Sequence, residues 1–338
     1  MPIKDTLNRP LQDLRISLID RCNFRCPYCM PSEKFHHAYQ FLEKNQWLNF
    51  EEITRLARIF VSLGVTKLRL TGGEPLLRPD LDVLIRQLSA IRGVEDLALT
   101  TNGSMLTSWA KRLKEAGLGR LTVSLDTLDE IVFGQMSGEK GSVNDVLEGI
   151  RAAEAAGFDS IKINAVIQRG VNDHTILDLV KYFRGTKHSL RFIEYMDVGN
   201  QNHWDKFQVV PSHEITSIIY TEFPLKRVQE TQDGGTADIY RFKDGLGEIG
   251  FISSVTKPFC GTCSRLRLSA EGKLYTCLFA AEGLNLGEHL RNGASDELLG
   301  GMIRNVWTKR DSRYSEIRSE LRQNSHLLPK VEMYQVGG

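Results

Sequence analysis

The chain has 338 residues, of which 41% are hydrophobic and 25% are charged, and its formal net charge is +1. These values are typical of a soluble globular protein, and the near-neutral charge gives no reason to expect binding to nucleic acid or to a membrane surface. No apolar run approaches the roughly 18 residues that a membrane span needs, and the first residues lack the apolar segment of a secretory signal. We therefore expect a cytoplasmic protein with no nucleic-acid or membrane partner.

Strand-like and helix-like segments alternate along the first 196 residues. Six strands are predicted at residues 14–18, 67–70, 96–100, 121–125, 161–167 and 190–194. Five helices are predicted between them, at residues 51–63, 81–91, 106–116, 143–156 and 175–183. Gly64, Gly117 and Gly157 follow three of these helices, as helix stop signals do. This alternation predicts βαβ units in a parallel sheet, either an incomplete (β/α) barrel or a doubly wound sheet.

The pattern becomes irregular after about residue 199. One helix is predicted near residues 212–221, and residues 264–277 read as two short strands joined by a turn at Ala270-Glu271-Gly272. We divide the chain into a barrel domain at residues 1–200, an extension at 201–330 that covers the open side of the barrel, and a loose tail at 331–338 that ends in Gly-Gly.

Several predicted strands alternate apolar and polar side chains, although parallel strands are usually apolar on both faces. Cations hold four of the polar positions: Arg15, Arg69, Lys162 and Arg191. In a barrel they would converge in the lumen, where mutual repulsion and desolvation are unfavourable. A bound anion relieves both, and arginine suits phosphate, so we expect a phosphorylated small molecule. The alternative is that internal acids such as Asp126 or Glu194 neutralise these cations.

The six cysteines form two groups of three. Cys22, Cys26 and Cys29 follow the first strand with the spacing C-x3-C-x2-C. In a reducing compartment, clustered thiols indicate metal ligands or redox groups. Three thiolates can ligate a [4Fe–4S] cubane and leave its fourth iron open to a small chelating molecule. The alternatives are a Cys3His zinc site that uses His36 or His37, and reactive thiols without a metal.

The second group has the spacing C-x2-C-x13-C and consists of Cys260, Cys263 and Cys277. Spacing alone is compatible with an iron–sulfur cluster or with zinc, for which His289 is a candidate fourth ligand. Arg265 and Arg267 alternate on the strand that follows, so both face the same side. They add two cations to the predicted anion site.

The first cysteine loop, with Tyr28 before its last cysteine, and the TGGEP turn at residues 71–75 together resemble the radical S-adenosylmethionine (SAM) superfamily. Further segments are similar to the GTP 3′,8-cyclase family of molybdenum cofactor biosynthesis, and this similarity spans almost the whole chain: LTTNG, VSLDTLD, RFIEYMDVGN, FCGTCSRLRLSAEGKLYTCLF and the final Gly-Gly. The resemblance implies an α/β fold, an incomplete (β/α)6 TIM-like barrel with a C-terminal α+β extension that closes the open side and carries a second cluster.

The resemblance also implies roles for single residues. It assigns a SAM-binding [4Fe–4S] cluster to Cys22, Cys26 and Cys29, and a second [4Fe–4S] cluster, whose open iron meets guanine, to Cys260, Cys263 and Cys277. SAM would contact Tyr28, Gly73, Ser124 and Met196. GTP would be bound by Arg15, Arg69, Thr100, Lys162, Arg191, Arg265 and Arg267. The tail residues Gly337 and Gly338 would assist the radical step.

The implied reaction begins with one-electron cleavage of SAM. The resulting 5′-deoxyadenosyl radical abstracts the C3′ hydrogen of GTP, and the C3′ radical attacks guanine C8 to give (8S)-3′,8-cyclo-7,8-dihydroguanosine 5′-triphosphate. The implied partners are a flavodoxin- or ferredoxin-like reductant and the downstream cyclic pyranopterin monophosphate synthase, and the oligomeric state is open between a monomer and a homodimer. The alternative functions are a peptide-modifying radical SAM enzyme with an auxiliary cluster, and a zinc-stabilised nucleotide-binding protein.

Overall fold

A single mixed sheet runs through the computed structural model, which describes residues 2–228, 235–323 and 329–337. Its twelve strands are β1 (Asp13–Ser17), β2 (Lys67–Thr71), β3 (Asp96–Thr101), β4 (Arg120–Ser124), β5 (Lys162–Ile167), β6 (Ser189–Glu194), β7 (Leu225–Arg227), β8 (Asp238–Phe242), β9 (Glu248–Ile252), β10 (Arg265–Leu268), β11 (Lys273–Tyr275) and β12 (Leu284–Asn285). The strand order is β12-β11-β10-β1-β2-β3-β4-β5-β6-β9-β8-β7.

The α-helices in the described residues flank this sheet. They are α1 (Phe50–Ser62), α2 (Leu81–Ser89), α3 (Leu106–Glu115), α4 (Glu130–Ser137), α5 (Val143–Ala155), α6 (Ile176–Phe183), α7 (Ser212–Tyr220), α8 (Leu286–Arg291), α9 (Asp296–Thr308), α10 (Tyr314–Gln323) and α11 (Met333–Val336). Within the part of the chain described, none of the helices has both the length and the apolar character needed to cross a membrane.

The six predicted strands are present as β1 to β6, and each is parallel to the next. The alternation of apolar and polar residues determines which face of the sheet each side chain occupies, because side chains of successive residues point to opposite faces. In β1, Leu14 and Ile16 are fully buried against the helices, whereas Arg15 between them faces the other side. The predicted βαβ alternation and parallel sheet are therefore confirmed.

The five predicted helices are also present, with ends that differ by one or two residues. α1 begins with a reciprocal capping box between Asn49 and Glu52 and buries one apolar face. We missed α4, which has eight residues and no extended apolar periodicity. Its sequence signals were nevertheless present, because Asp129 accepts hydrogen bonds from the first N–H groups and Gly138 ends the helix in the left-handed region.

Residues after 200 extend the sheet at both of its edges. β9 adds in parallel to β6, and β10 adds in parallel to β1. The predicted hairpin is confirmed as the antiparallel pair β10–β11. Describing residues 199–246 as irregular apart from α7 was wrong, since β7 and β8 form an antiparallel pair there. β7 is the edge strand and β8 lies between it and β9; both are short and lack the apolar alternation that would have identified them.

The C-terminal segment packs against the rest of the protein. Val331, Tyr334 and Val336 are buried, and the last two belong to α11. Tyr334 lies in a cluster with Phe35, and Val336 contacts Tyr275. The loose-tail interpretation is therefore wrong for residues 331–337, because their apolar side chains find partners from distant parts of the chain. Gly338 lies outside the described residues.

Candidate functional site

The register of the parallel strands brings cations into one row. Arg15 in β1 lies beside Arg69 in β2 on one side and beside Arg267 in β10 on the other. Residues in register on neighbouring strands share a face of the sheet, so the three guanidinium groups face the same space. The Nε atoms of Arg15 and Arg69 are buried and have no hydrogen-bond partner among the described residues. Buried donors of this kind favour an acceptor from outside the chain.

The electrostatics of the cations agree with this arrangement. Burial, followed by the charges of Arg267 and Arg69, lowers the pKa of Arg15. Burial and the nearby Arg191 lower the pKa of Lys162 to about 7. Burial also lowers the pKa values of Arg191 and Arg267, each to about 10. Every one of these shifts has the sign of a cation that lacks sufficient compensating negative charge.

The two acids considered as internal partners are engaged elsewhere. Asp126 accepts hydrogen bonds from Tyr28 Oη and from the Val166 N–H, both at 2.8 Å. Glu194 accepts hydrogen bonds from groups beyond β6: the hydroxyls of Ser212 and Thr256 and the N–H groups of Ser212, Val255 and Thr256. Asp126 and Glu194 are therefore not the partners of these cations, but internal acids do offset part of the charge: Asp13 lines the second cavity and acts to raise the pKa values of Arg15, Arg69, Arg265 and Arg267. Another nearby acid, Asp96, forms an ion pair with Arg120, a cation that the sequence analysis missed.

Two adjoining cavities contain most of the predicted substrate residues. The first has a volume of about 140 Å³, and its lining includes Arg15, Arg69, Thr100, Met196, Arg265, Arg267, Cys260, Cys263 and Cys277. The second has a volume of about 210 Å³, and its lining includes Lys162 and Arg191 together with Arg15, Arg69, Cys263 and Arg265. The shared residues join the cavities into one site, with two of the cysteines at one end and Lys162 and Arg191 at the other.

Cationic donors surround the second cysteine trio. Cys263 Sγ accepts hydrogen bonds from Arg265 Nε at 3.4 Å and from Arg310 Nη2 at 3.2 Å. Burial alone would raise the pKa of Cys263, but the charges of Arg265 and Arg310 lower it to about 6. The pKa of Cys277 is raised, mainly by burial. Positive charge and N–H donors around sulfur favour a thiolate that can bind a metal.

The first trio lies in a turn after β1. The N–H groups of Cys29 and Met30 both donate to the Cys26 carbonyl, at 2.9 and 2.8 Å. The Phe24 N–H donates to Cys22 Sγ at 3.4 Å. Burial raises the pKa of Cys22 to about 12, and burial with the nearby Cys22 and Cys29 raises that of Cys26. Three neighbouring thiolates are thus unfavourable without a compensating metal, as expected of metal ligands.

Each trio supplies three thiols, the ligand set that a [4Fe–4S] cluster takes when one of its irons is left open. Among the described residues, no three His, Cys, Asp or Glu side chains are grouped so that they could hold a metal ion. Zinc needs four ligands at about 2.0–2.3 Å from one centre. His36 and His37 are exposed and pair with each other, and His289 belongs to α8. A cubane spreads its ligands over several irons, and the N–H donors to Cys22 and Cys263 are compatible with such ligands.

The predicted SAM residues lie around the first trio and the cavity. Tyr28 donates to Asp126, Ser124 at the end of β4 is in register with Asn164 in β5, and Met196 lines the first cavity. A Cβ added to Gly73 would collide with the Arg21 carbonyl oxygen and lie 3.0 Å from the backbone nitrogen of Cys22. Glycine at position 73 therefore lets the TGGEP turn pack directly against the cysteine loop.

Two polar residues next to the first trio were missed. The buried Glu74 accepts hydrogen bonds from Thr101 Oγ1 at 2.7 Å and from the Asn102 N–H at 2.8 Å. Burial raises the pKa of Glu74 to about 7. Asn102 Nδ2 donates to Asn23 Oδ1 at 2.8 Å and lies 3.9 Å from Cys22 Sγ. Both residues belong to the family motifs TGGEP and LTTNG, so the sequence signal for them is the motif itself.

The end of the described tail reaches the row of cations. The Gly337 carbonyl oxygen accepts a hydrogen bond from Arg267 Nη1, as does that of Val336, at 3.2 Å. Gly337 has a φ of 71°, and an added Cβ would lie 2.7 Å from Thr71 Oγ1. Glycine is thus required there by both conformation and space. Gly338, the other predicted tail residue, lies outside the described residues.

Comparison with known proteins assigns both halves of the chain. The family described as Radical SAM superfamily matches residues 16–183, and the family described as Molybdenum Cofactor Synthesis C matches residues 188–316. Among solved structures, Streptococcus suis SuiB bound to S-adenosylmethionine has a TM-score of 0.60 at 17% identity, covering 87% of this chain and 68% of that one. SuiB bound to its precursor peptide SuiA also has a TM-score of 0.60, at 16% identity, over 98% and 77%. These likenesses show the fold.

Curated relatives are much more similar in sequence. A protein of Xanthomonas campestris pv. campestris (strain B100) named GTP 3′,8-cyclase is 51% identical over 337 residues, which is 100% of this chain and 98% of the relative. A protein of the same name from Staphylococcus aureus (strain MRSA252) is 44% identical over 337 residues, 99% of both. At this identity and coverage, the chain belongs to the GTP 3′,8-cyclase family.

Proposed function

We propose that this protein is a radical SAM enzyme that converts GTP to (8S)-3′,8-cyclo-7,8-dihydroguanosine 5′-triphosphate, the first step of molybdenum cofactor biosynthesis. Full-length relatives at 44–51% identity carry the cyclase name. The observation that supports it best is that the second cysteine trio and a row of incompletely neutralised cations line one site. A nucleoside triphosphate has a base at one end and a polyanion at the other, which matches such a site.

The proposed GTP ligands are the cations and one hydroxyl: Arg15, Arg69, Thr100, Lys162, Arg191, Arg265 and Arg267. Their support is the orphaned Nε atoms of Arg15 and Arg69 and the lowered pKa values of Lys162 and Arg191. Thr100 Oγ1 accepts a hydrogen bond from Arg69 Nη1 at 3.4 Å, which aims the guanidinium into the cavity. Phosphate oxygens would supply the acceptors that these groups lack.

The proposed cofactor residues are the two trios and the residues beside them. Cys22, Cys26 and Cys29 would hold the cluster that binds SAM, with SAM contacting Tyr28, Gly73, Ser124 and Met196. Cys260, Cys263 and Cys277 would hold a second [4Fe–4S] cluster, supported by their cationic surroundings. When bound, the first cluster and SAM supply the radical chemistry that removes the C3′ hydrogen of GTP, after which C3′ bonds to guanine C8.

The proposed role of these side chains is to hold the substrate in a fixed orientation. Lys162 and Arg191 lie at the end of the site away from Cys260 and Cys277, so they would fix the triphosphate while the cysteine end fixes the base. A substrate held at both ends keeps its ribose in a constant orientation, which lowers the barrier to ring closure. Gly337, against Arg267 and Thr71, would help to exclude water, and we propose that Gly338 acts with it.

The residues that line this site also support the barrel architecture implied by the sequence. We propose that residues 1–200 form an incomplete (β/α)6 barrel, closed by an extension at 201–330 and a tail at 331–338. Neighbouring strands lie about 4.8 Å apart, so β1 and β6 would be about 24 Å apart in a flat sheet. Arg15 of β1 and Arg191 of β6 nevertheless line the same cavity, which supports a curved sheet.

The reaction requires an electron donor, and one surface next to the first trio suits an acidic protein. Arg21, His36 and His37 are exposed there, and Arg25 donates to the Cys22 carbonyl at 2.7 Å. We propose that a flavodoxin- or ferredoxin-like reductant binds this face. A cytoplasmic location, a homodimer and transfer of the product to cyclic pyranopterin monophosphate synthase follow from family membership as further proposals.

An anaerobic assay of the reconstituted enzyme with GTP, SAM and dithionite tests the function. We expect 5′-deoxyadenosine and a cyclised nucleotide, both detected by mass spectrometry, with GTP and much less with ATP. SAM cleavage that responds to a peptide and not to GTP would instead favour the peptide-modifying alternative. Colourless protein with stoichiometric zinc would favour the nucleotide-binding alternative.

A further inference from the structure

A buried ion cluster lies beside the second cysteine trio and outside the proposed ligands. It consists of Asp5, Arg9 and Arg310, which we call the Asp5 cluster. Asp5 Oδ2 accepts from Arg9 Nε at 2.5 Å and from Arg310 Nη1 at 3.2 Å. Their side chains are 0%, 1% and 2% exposed, so water contributes little to their solvation. Chain segments about 300 residues apart meet in this cluster.

The two arginines contact the backbone at each of the three cysteine positions. Arg9 Nη1 donates to the Cys260 carbonyl at 2.8 Å. Arg310 Nη1 donates to the Cys263 carbonyl at 2.8 Å, and its Nε donates to the carbonyl of Thr276, the residue before Cys277, at 3.0 Å. The remaining nitrogen, Arg310 Nη2, donates to Cys263 Sγ at 3.2 Å. One guanidinium thus contacts both the sulfur and the backbone of the trio.

The charges in the Asp5 cluster do not cancel. Two guanidinium groups share one carboxylate, which leaves one positive charge in a region from which water is excluded. Uncompensated buried charge is costly, and a cluster that served packing alone would be expected to be neutral. The group next to the excess charge is the Cys263 sulfur. The excess positive charge is therefore available to compensate negative charge on the Cys263 sulfur and on the group that this sulfur binds.

The first trio differs in its donors to sulfur: among the described residues, Arg25 donates to the Cys22 carbonyl at 2.7 Å, and no guanidinium hydrogen bond to a sulfur of this trio is seen. The hydrogen bonds to Cys22 Sγ in the described structure come from the Phe24 N–H and from Asn102 Nδ2, which are neutral donors. Hydrogen bonds to sulfur and the local net charge set the reduction potential of an iron–sulfur cluster. Residues that contact ligands without binding the metal commonly tune it in this way.

We propose that Arg310 raises the reduction potential of the second cluster by donating to Cys263 Sγ and stabilising the negative charge added on reduction. Asp5 and Arg9 are positioning residues that hold this guanidinium and moderate its charge. The second cluster consequently has a higher reduction potential than the first. The inference rests on the proposed function only in requiring that the second trio holds a cluster.

Potentiometric titration of the holoenzyme, followed by electron paramagnetic resonance, tests the proposal. Its two midpoint potentials are assigned with a variant that lacks the three N-terminal thiols. Arg310→Gln should lower the midpoint of the second cluster and leave that of the first unchanged. Asp5→Asn, which removes the compensating charge and keeps the shape, should shift the same midpoint upwards.

The control is Arg318→Gln, which removes a buried guanidinium that donates to Asp197, Ser254 and Ser315. It should leave both midpoints unchanged. Unchanged midpoints in fully loaded Arg310→Gln, or loss of both clusters in that variant, would overturn the proposal. If Arg310→Gln loses the second cluster alone, the midpoint potential of that cluster in Asp5→Asn tests the proposal instead. An upward shift of this midpoint supports the proposal, and an unchanged or lower midpoint overturns it. Wild-type protein with about four irons instead of about eight would contradict the second cluster itself.

Discussion

Lys162 carries a charge that its surroundings oppose. Burial and the neighbouring cations Arg191, Arg120 and Arg69 lower its pKa to about 7, and Asp96 offsets them only in part. Lys162 therefore titrates near neutral pH in the free protein. A bound triphosphate would favour the charged form, so binding would be coupled to uptake of a proton by Lys162.

This coupling predicts that the affinity for GTP falls as the pH rises. As the pH rises from 7 to 8.5, Lys162 loses its proton in the free protein, and GTP must restore it in order to bind. We expect the affinity for GTP, measured by anaerobic equilibrium dialysis, to fall on the order of tenfold over this range. Lys162→Met should bind GTP more weakly at pH 7 and show a flat profile, whereas Lys67→Met, at another lysine of the same cavity, should keep the slope. A flat profile for the wild-type protein would contradict this.

Gly73 is a second residue with a specific test. A Cβ there would meet the Arg21 carbonyl and the backbone of Cys22, so Gly73→Ala should displace the first cysteine loop. We expect iron per chain to fall from about eight to about four. Gly301→Ala is the matched control, because nothing lies within 4 Å of its Cβ. Full iron content in Gly73→Ala would show that the turn and the loop do not depend on each other.

The C-terminal segment acts as one element. α11 is fixed by Tyr334, whose hydroxyl hydrogen-bonds that of Tyr39 at 2.8 Å, and by Glu332, which accepts from the Asn200 N–H at 3.0 Å. These contacts bring Gly337 to Arg267. The helix therefore anchors the tail, and the residue that reaches the site has no side chain of its own.

Deleting Gly337 and Gly338 tests the role of the tail glycines in the site separately from the anchoring role of α11. α11 should remain in place, so the iron content and the melting temperature should match those of the wild-type protein. Formation of the cyclised nucleotide should fall by about 100-fold, because a small misplacement of the reacting groups costs that much. A truncated enzyme with undiminished turnover would refute the role of the tail glycines.

Sequence reasoning worked for elements with strong local signals. The alternation in β1, β2 and β5 identified both the strands and the cations on their polar faces. It failed for α8, α9 and α10, for which we predicted no helix, and for the short strands β7 and β8 at one end of the sheet. Edge strands are held by pairing that local sequence does not encode.

The residues of the candidate site also differ in whether a local sequence pattern identifies them. Cysteine spacing and strand alternation indicated the metal ligands and the cations, since both are local patterns. Asp5, Arg310 and Asn102 were missed because each acts through a contact distant in sequence, such as that between Asp5 and Arg310. Long-range contacts of this kind appear only when the chain is folded.

In the molecule as a whole, the sheet joins the two ends of the chain. β10 pairs with β1, so the second trio and Arg267 lie next to the strand that leads into the first trio. Residues from β1, β2, β3, β5, β6 and β10 thereby line one site, which has the second cysteine trio at one end. We infer a division of labour in which one trio serves radical generation and the other serves the substrate.

Comparing Cys22→Ala with Cys277→Ala tests that division most directly. Both products, 5′-deoxyadenosine and the cyclised nucleotide, are quantified anaerobically with GTP, SAM and dithionite. We expect Cys22→Ala to form neither, and Cys277→Ala to keep forming 5′-deoxyadenosine while losing the cyclised nucleotide. Equal loss of both products in the two variants would contradict separate roles for the trios.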